Sequence, residues 1–239
     1  MPQLLRFPAV PSTMDLLHEL AAAGAEAGTV VVAGEQTAGR GSRGRPWRSP
    51  PGGLWLSALY RPGRSAGIEL YSLRVGLAVA EAIEAIGPGL RVAIKWPNDL
   101  MLVDRKVGGI LCEARWQGEV LAWVVAGVGV NVTNGLPADL ATGAIRLADL
   151  LPDADPEVLE RGLTDRLRVL DPSADRLDAR ELDALRGRDW LRGRRLRTPV
   201  SGTAVGIADD GALLVRDADG AILPVRAGTV ELAEPSLAT

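Results

Sequence analysis

The sequence predicts an α/β fold of the α+β kind, in which a mixed β-sheet with packing helices is followed by a small β-barrel. Helical periodicity and buried-strand runs alternate up to about residue 134. The composition then shifts to Asp, Arg, Ala and Leu at helical spacing, and from Arg194 onward short strands are separated by Gly and Asp turns. These three observations place one domain over residues 1–190 and a second over residues 191–239.

Helices and strands alternate in the first domain. A helix is predicted over 12–23, because Ser12 can cap its start and Gly24 closes its end. Leucines at helical spacing predict a second helix that passes through Leu70 and ends near Gly87. Apolar or alternating runs predict strands at 29–33, 54–60, 91–96, 100–103, 107–116 and 119–132.

Packing helices are predicted beyond Asn134, where leucines again follow helical spacing. These leucines are Leu159, Leu163, Leu167 and Leu170. In the second domain, strands are predicted near 196–199, 203–208, 212–216, 222–226 and 230–232. Because about 45 residues form only a marginal core alone, this barrel is expected to dock on the first domain.

Composition narrows the classes of function. With 239 residues, of which 47% are hydrophobic, the chain can bury a sizeable core, and its net charge of −3 disfavours a general nucleic-acid binder. One cysteine and one histidine leave no internal disulfide and no zinc cluster, which favours a reducing, cytoplasmic setting. Residues 1–11 lack the features of a signal peptide, and no apolar run reaches membrane-spanning length. We therefore expect a soluble protein that does not engage a membrane.

Lysine is scarce in this chain. Of 27 basic residues only Lys95 and Lys106 are lysines. A lysine that persists among arginines can mark a position that needs a compact ammonium, which a planar guanidinium does not imitate. For either lysine alone, codon bias that leaves a solvated side chain is the simpler explanation.

The loop Gly39–Arg48 holds four arginines and three glycines. Glycines let backbone N–H groups approach an anion, and arginines neutralise phosphate or carboxylate oxygens through forked hydrogen bonds. A disordered or RNA-binding tract is the alternative. A long loop between two core strands, however, indicates a lid that covers a site. Nearby, Gln36 offers an amide for hydrogen bonding and Trp47 an apolar wall.

Two further segments place charged or amide side chains next to proline or glycine. Lys95-Trp96-Pro97-Asn98-Asp99 breaks a strand and suits a metal–nucleotide site, with Asp99 as an Mg²⁺ ligand, although such a string is often only a turn. Adjacent glycines after Lys106 indicate close approach of a ligand or another backbone. For the Gly127–Val132 run, a β-bulge is the simplest explanation. His18 is interpreted as structural or exposed, and Cys112 as a core residue.

Taken together, five segments resemble the biotin protein ligases, that is, biotin–[acetyl-CoA-carboxylase] ligases. The segments are Ser12-Thr13, the Gln36–Trp47 loop, Lys95–Asp99, Lys106–Leu111 and Gly127–Val132. The order and spacing match over nearly the whole chain, and two glycine-led strands near its end are similar to the family's SH3-like C-terminal domain. The resemblance implies a catalytic domain like those of class II aminoacyl-tRNA and biotin synthetases over 1–190, and an SH3-like domain over 191–239.

The resemblance also implies a two-step reaction with Mg²⁺, ATP and biotin, in which biotinyl-5′-AMP forms and a lysine of a biotin carboxyl carrier domain then takes the biotinyl group. Position by position, it implies that biotin contacts Ser12, Thr13, Gln36, Gly39, Arg40, Lys106 and Gly109. ATP or the adenylate would contact Arg43, Arg45, Trp47, Lys95, Asn98, Asp99 and Asn131. The catalytic residues would be Lys106, Arg40 and Arg43, with Asp99 as the metal ligand.

Some positions depart from the family's pattern. Ser42 stands where arginine is frequent, and Met14 where asparagine is frequent. Eleven residues before Ser12 are too few for a DNA-binding domain, so a monofunctional ligase without a DNA partner, monomeric or homodimeric, is expected. The alternatives are an adenylating enzyme like lipoate–protein ligase and a non-catalytic nucleotide- or RNA-binding protein.

Overall fold

A computed structural model of the chain describes residues 1–62, 68–140, 142–170 and 174–233. Its main element is a seven-stranded sheet of order β1-β2-β3-β7-β6-β5-β4. The strands are β1 (Leu4–Phe7), β2 (Val30–Ala33), β3 (Leu54–Tyr60), β4 (Ala93–Lys95), β5 (Asp99–Leu102), β6 (Arg105–Gln117) and β7 (Val120–Val130). Only β1 and β2 pair in parallel, and the other neighbours are antiparallel, so the predicted mixed sheet is confirmed.

Six of these strands match the predicted runs, whereas β1 was not predicted. It is a four-residue edge strand with no fully buried position, so its residues show no clean alternation to recognise. The expected β-bulge at Gly127–Val132 is wrong, because Gly127–Val130 pairs in continuous register with both β3 and β6. The register shift between β6 and β7 lies instead at Arg115 and Trp116, far along the hairpin.

Helices cover both faces of this sheet. They are α1 (Thr13–Ala22), α2 (Ile68–Ile86), α3 (Pro156–Val169) and α4 (Ala179–Arg186). Successive strand residues point to opposite faces, so Val31 and Val125 pack with α1 while Val32 and Val124 join the larger core with α2 and α3. In the parts of the chain that the structure describes, none of the helices is both long and apolar enough to cross a membrane.

The start of α1 is fixed by the predicted cap. The Ser12 hydroxyl accepts a hydrogen bond from the Asp15 N–H at 3.3 Å. Asp155 and Asp178 cap α3 and α4 in the same way, which the aspartate-rich composition of this region allows. The first turn of α1 is therefore held in place, and with it the side chains of Ser12 and Thr13.

A second sheet follows α4, and its five strands are antiparallel in the order β11-β10-β9-β8-β12. The strands are β8 (Arg195–Thr198), β9 (Gly202–Ile207), β10 (Leu213–Arg216), β11 (Ile222–Val225) and β12 (Glu231–Leu232). Leu196 and Leu213 belong to the same hydrophobic core as the first sheet, and the indole of Trp96 donates to the Gly211 carbonyl at 2.9 Å. The expected docking is confirmed. The boundary at residue 190 stays a prediction, and residues 234–239 of the second domain lie outside the described residues.

Candidate active site

Two adjoining cavities lie under the loop that joins β2 to β3, and the inner one is also lined by the first turn of α1. The inner cavity has a volume of about 50 Å³, and its lining includes Ser12, Thr13, Gln36, Arg40 and Gly109. The outer cavity has a volume of about 460 Å³, and its lining includes Arg45, Arg48, Asn131 and residues 134–137. Gly41, Trp47, Asp99 and Lys106 line both cavities.

A hydrogen-bonded polar group forms one end of the inner cavity. The Gln36 side-chain oxygen accepts from the Thr13 N–H at 2.9 Å and from its hydroxyl at 3.0 Å, and the Gln36 amide donates to the Ser49 hydroxyl at 2.8 Å. The Thr13 and Ser57 hydroxyls lie 2.8 Å apart. Ser49 and Ser57 are buried and were missed, because a lone serine in a strand or loop carries no sequence signal of its role.

Glycines leave the room that the larger side chains of the site occupy. A Cβ on Gly39 would lie 2.6 Å from the Trp47 carbonyl oxygen, and a Cβ on Gly129 would lie 2.5 Å from the Trp47 indole nitrogen. A Cβ on Gly127 would meet the sulfur of Met14 at 2.6 Å. The strand glycines that first suggested a bulge therefore accommodate Met14 and Trp47.

The predicted close approach of another backbone occurs at Gly108. A Cβ on Gly108 would lie 2.7 Å from the Gly129 carbonyl oxygen, a backbone atom of the neighbouring strand. At Gly109 a Cβ would meet only Lys106 and Trp47, at 3.4 Å, which is an ordinary contact. Gly108 thus lets β6 and β7 pair closely, while Gly109 lines the inner cavity.

Lys106 lies where the two cavities meet. Its ammonium contacts the Asp99 carboxylate at 2.5 Å and lies 5.1 Å from the centre of the Trp47 ring. The backbone of Lys106 is held by two hydrogen bonds: its N–H donates to the Gly143 carbonyl, and its carbonyl accepts from the Ile145 N–H. A compact cation is therefore fixed between the inner and outer spaces.

Lys95, the other lysine, lies apart from the site. Its ammonium lies 5.5 Å from the centre of the Trp190 ring, and it lines neither of the two cavities. Trp190 also stacks under Arg194 at 3.8 Å and donates to Asp104 at 2.8 Å. The structure does not bring Lys95 together with Lys106, although both come from one short segment.

The asparagines of the site differ in what they do. The Asn98 side-chain amide donates to the Ile110 carbonyl at 2.8 Å, and the Asn98 backbone carbonyl accepts from the Ile110 N–H, so Asn98 joins the turn before β5 to β6. Asn131 is buried, accepts from the Asn134 amide at 3.2 Å and lines the outer cavity. Only the second asparagine thus faces the larger space.

Arg43 and Arg45 lie on the solvent side of the loop. Arg43 is exposed, has a φ of 63° in a short 3₁₀ turn over Ser42–Gly44, and lines neither cavity. Arg45 is also exposed and lines the outer cavity, with its guanidinium 3.3 Å from the Ser42 hydroxyl. Of the two, Arg45 is the one that already faces the outer space.

Arg40 faces the inner cavity and is paired with acids on α1 and β6. Its guanidinium forms a fork with the Glu113 carboxylate at 3.1 Å on each arm and contacts Asp15 at 2.6 Å. Hydrogen bonds from His18 and from Arg40 lower the pKa of Glu113 to about 2. Asp15, His18 and Glu113 were not among the predicted site residues, because nothing local marks a carboxylate that pairs with a distant arginine.

Metal-ligating groups are sparse. Among the described residues no group of three or more His, Cys, Asp or Glu side chains could hold a metal ion. Asp99 is the carboxylate that lines both cavities. Cys112 is half-buried and packs against the main core, and burial raises the pKa of its thiol to about 12. Any divalent cation here would need oxygen ligands from a substrate in addition to Asp99.

The inner cavity adjoins a wider space with Arg45, Arg48 and Lys106 in its lining, an arrangement that suits a ligase that brings a small ligand to an anionic second substrate. Residues 6–131 match the model of the Biotin/lipoate A/B protein ligase family, and residues 192–233 match that of the biotin protein ligase C terminal domain. The chain belongs to the Biotin/lipoate A/B protein ligase family.

Relatives match the chain over most of its length. It is 37% identical to the biotin–[acetyl-CoA-carboxylase] ligase of Paracoccus denitrificans over 213 residues, which cover 80% of this chain and 85% of that protein. It is 33% identical to the bifunctional ligase/repressor BirA of Bacillus subtilis over 242 residues, 96% of this chain and 74% of that protein. A solved structure of the biotin protein ligase from Aquifex aeolicus in complex with biotin and ATP matches with a TM-score of 0.82 and 26% identity, covering 98% of this chain and 99% of that one.

Proposed function

We propose that the protein is an ATP-dependent ligase that activates biotin as biotinyl-5′-AMP and transfers the biotinyl group to a lysine of a biotin carboxyl carrier domain. The observation that carries the proposal is the position of Lys106, a fixed cation where the inner and outer cavities meet. The family match and the relatives named above support the same activity.

In the first step a biotin carboxylate oxygen attacks the α-phosphorus of ATP, and the bond to pyrophosphate breaks. Both reactants are anions, so the protein's main tasks are charge neutralisation and alignment. The inner cavity takes biotin, the outer cavity takes ATP, and Lys106 bridges the carboxylate and the α-phosphate. Arg43 and Arg45 serve the phosphates once the loop closes over them.

In the second step the amine of the carrier lysine attacks the acyl carbon of the adenylate, AMP leaves with the bonding electrons, and the amine gives up a proton. Acyl-adenylates hydrolyse, so water has to be kept out between the steps. The Gly/Arg loop covers both cavities and is suited to that role. Trp47, which lines both spaces, has a buried indole N–H without an acceptor among the described residues, so it can donate to a ligand.

The inner cavity is too small for biotin as it stands. A volume of about 50 Å³ holds a water or two, not a bicyclic acid. Trp47, packed against Gly109 and Gly129, forms part of its wall and belongs to the loop. Biotin therefore enters when the Trp47 side chain moves outward.

Mg²⁺ enters this site as part of the Mg·ATP substrate. Mg²⁺ is bound in such sites by one or two carboxylates together with substrate phosphates and water, and Asp99 and Asp139 both line the outer cavity. The cation supplies neutralisation of phosphate charge when bound. Asp99, which contacts Lys106 in this structure, would be the protein residue that holds the cation.

The partner is a carrier domain of a biotin-dependent acyl-CoA carboxylase. We further propose a cytoplasmic, monofunctional ligase that acts as a monomer or homodimer and binds neither DNA nor membranes. Gel-shift and sedimentation measurements on the purified chain test the absence of DNA binding and the oligomeric state.

Pyrophosphate exchange into ATP tests the activity. The reaction is run with biotin, with lipoate and with no acid, and transfer to a purified carrier domain is followed by mass. Exchange that requires biotin, together with a mass gain of one biotinyl group on the carrier, supports the proposal. Exchange with lipoate alone would indicate an enzyme like lipoate–protein ligase. No exchange with either acid would indicate a protein that binds nucleotide without catalysis.

A further inference from the structure

We propose that Glu113, itself held by His18, is a positioning residue. It ties Arg40 and its loop to β6 and α1 and thereby sets the affinity for biotin. The identity of the ligand rests on the proposed function; the tie itself does not. Arg40 belongs to the loop, whereas Glu113 lies on β6 and His18 on α1. The interaction therefore joins the lid to two elements that do not move with it.

The Arg40 guanidinium is largely occupied by protein acceptors. Nε and Nη2 donate to the two Glu113 oxygens at 3.1 Å each, and Nη1 contacts Asp15 at 2.6 Å and the Ser12 hydroxyl at 3.4 Å. Two carboxylates already neutralise this one cation. Arg40 is thus better suited to fastening the loop than to neutralising the charge of a ligand.

The orientation of Glu113 is fixed from behind. The Trp123 indole N–H donates to His18 Nδ1 at 3.0 Å, and an indole nitrogen can only donate. His18 Nδ1 is therefore an acceptor, its hydrogen is on Nε2, and Nε2 donates to Glu113 Oε2 at 3.2 Å. Trp123 and His18 are both buried, so solvent does not compete for these bonds.

The chain Trp123–His18–Glu113–Arg40 ends at the wall of the inner cavity, because Arg40 lines that cavity and does not line the outer one. Loosening these hydrogen bonds should weaken binding of biotin in the inner cavity and leave binding of ATP in the outer cavity largely unaffected. This selectivity separates a positioning role from a general structural one.

The first test is kinetic and uses Glu113→Gln, which keeps the shape of the side chain but removes its charge. We expect the KM for biotin to rise about tenfold, the range of a lost charge-assisted hydrogen bond at a partly buried site, with the KM for ATP within about twofold of wild type. His18→Phe should raise the KM for biotin less, and the double variant should not add the two effects, because both residues act through Arg40. Arg115→Ala is the matched control, since Arg115 reaches the same carboxylate from the solvent side at 3.4 Å.

The second test measures the tie without any substrate. Trypsin cleaves after Arg43, which is exposed at the outer edge of the loop, and the Arg43–Gly44 cut is quantified by mass. Glu113→Gln should speed this cut by about fivefold or more, because a loop that opens locally is cut in proportion to its open population. Arg115→Ala should not speed it.

The outcomes separate the two proposals. Faster cleavage without any biotin-dependent exchange in the wild type would support the tie and refute the proposed function. Unchanged cleavage and an unchanged KM for biotin in Glu113→Gln, with wild-type exchange intact, would refute the tie alone. Equal increases of both KM values would also overturn it, since that result indicates a general loss of structure.

Discussion

At the scale of single residues, the chemistry of the site depends on which side chains meet, and charge alone does not identify them. Lys95 and Lys106 come from the same short segment, yet one ammonium lies over Trp190 and the other lies between the two cavities. Arg40 and Glu113 are far apart in sequence, yet they form a forked pair. The same residue types thus differ in role because of their partners.

Lys106→Arg is expected to reduce adenylation by at least about tenfold. A planar guanidinium presents fixed donors and cannot take the place of a compact ammonium between two anions. Biotin-dependent pyrophosphate exchange measures the change, and Arg186→Lys, at the exposed pair with Asp183, is the control. Near-normal exchange in Lys106→Arg would refute the bridging role.

The Glu113 pair predicts a dependence of stability on pH. Because the pKa of Glu113 is lowered to about 2 in the folded protein, by His18 first and then by Arg40, the ionised carboxylate stabilises the fold above the ordinary glutamate range. That contribution is lost as the pH falls from about 4.5 towards 2. The free energies of unfolding of wild type and Glu113→Gln should therefore differ at pH 6, and the difference should shrink as the pH falls towards 2, as measured by urea titration. A difference that stays constant over this range would contradict the assignment.

At the scale of elements, periodicity predicted most strands and helices, and it failed where a segment is short or forced by a neighbour. The edge strand β1 has no fully buried residue and was missed. Glycines in β7 suggested a bulge, although they make room for Met14 and Trp47. Both errors have one cause, since local sequence does not show what packs against a segment.

The loop between β2 and β3 carries an element-level prediction at Ser42. Ser42→Arg should slow leakage of the adenylate into solution, because another cation near the outer cavity holds the phosphate and the lid together. Released adenylate is trapped with an added amine and counted per turnover. Ser42→Met, which is long but uncharged, is the control, and unchanged leakage in Ser42→Arg would remove the proposed importance of this position.

At the scale of the whole molecule, the two sheets share one hydrophobic core. Leu196 and Leu213 of the second sheet are buried in the same cluster as α2 and β6, and Trp96 of the first sheet bonds to Gly211 in the second. The second sheet therefore contributes to the stability of the first, as expected of a small domain that is only marginally stable alone.

Leu213→Ala is expected to destabilise the whole chain by about 2–5 kcal/mol, the range for truncating a fully buried leucine. Far-UV circular dichroism and tryptophan fluorescence should report one shared unfolding transition that moves to lower urea. Ile222→Ala, at an exposed residue of the same sheet, is the control. Two separate transitions would show that the sheets unfold independently.

The sequence by itself determined the order of most elements, the two-domain pattern, and a resemblance that the family match confirmed. These features depend on spacing, caps and turns, which act between near neighbours in the chain. Only the tertiary structure decided that Lys95 lies away from the cavities, that Ser49 and Ser57 bond to Gln36 and Thr13, and that Glu113 and His18 hold Arg40. The physical reason is that strand register and helix packing choose the partners of polar side chains, and both are settled by long-range contacts that no local pattern encodes.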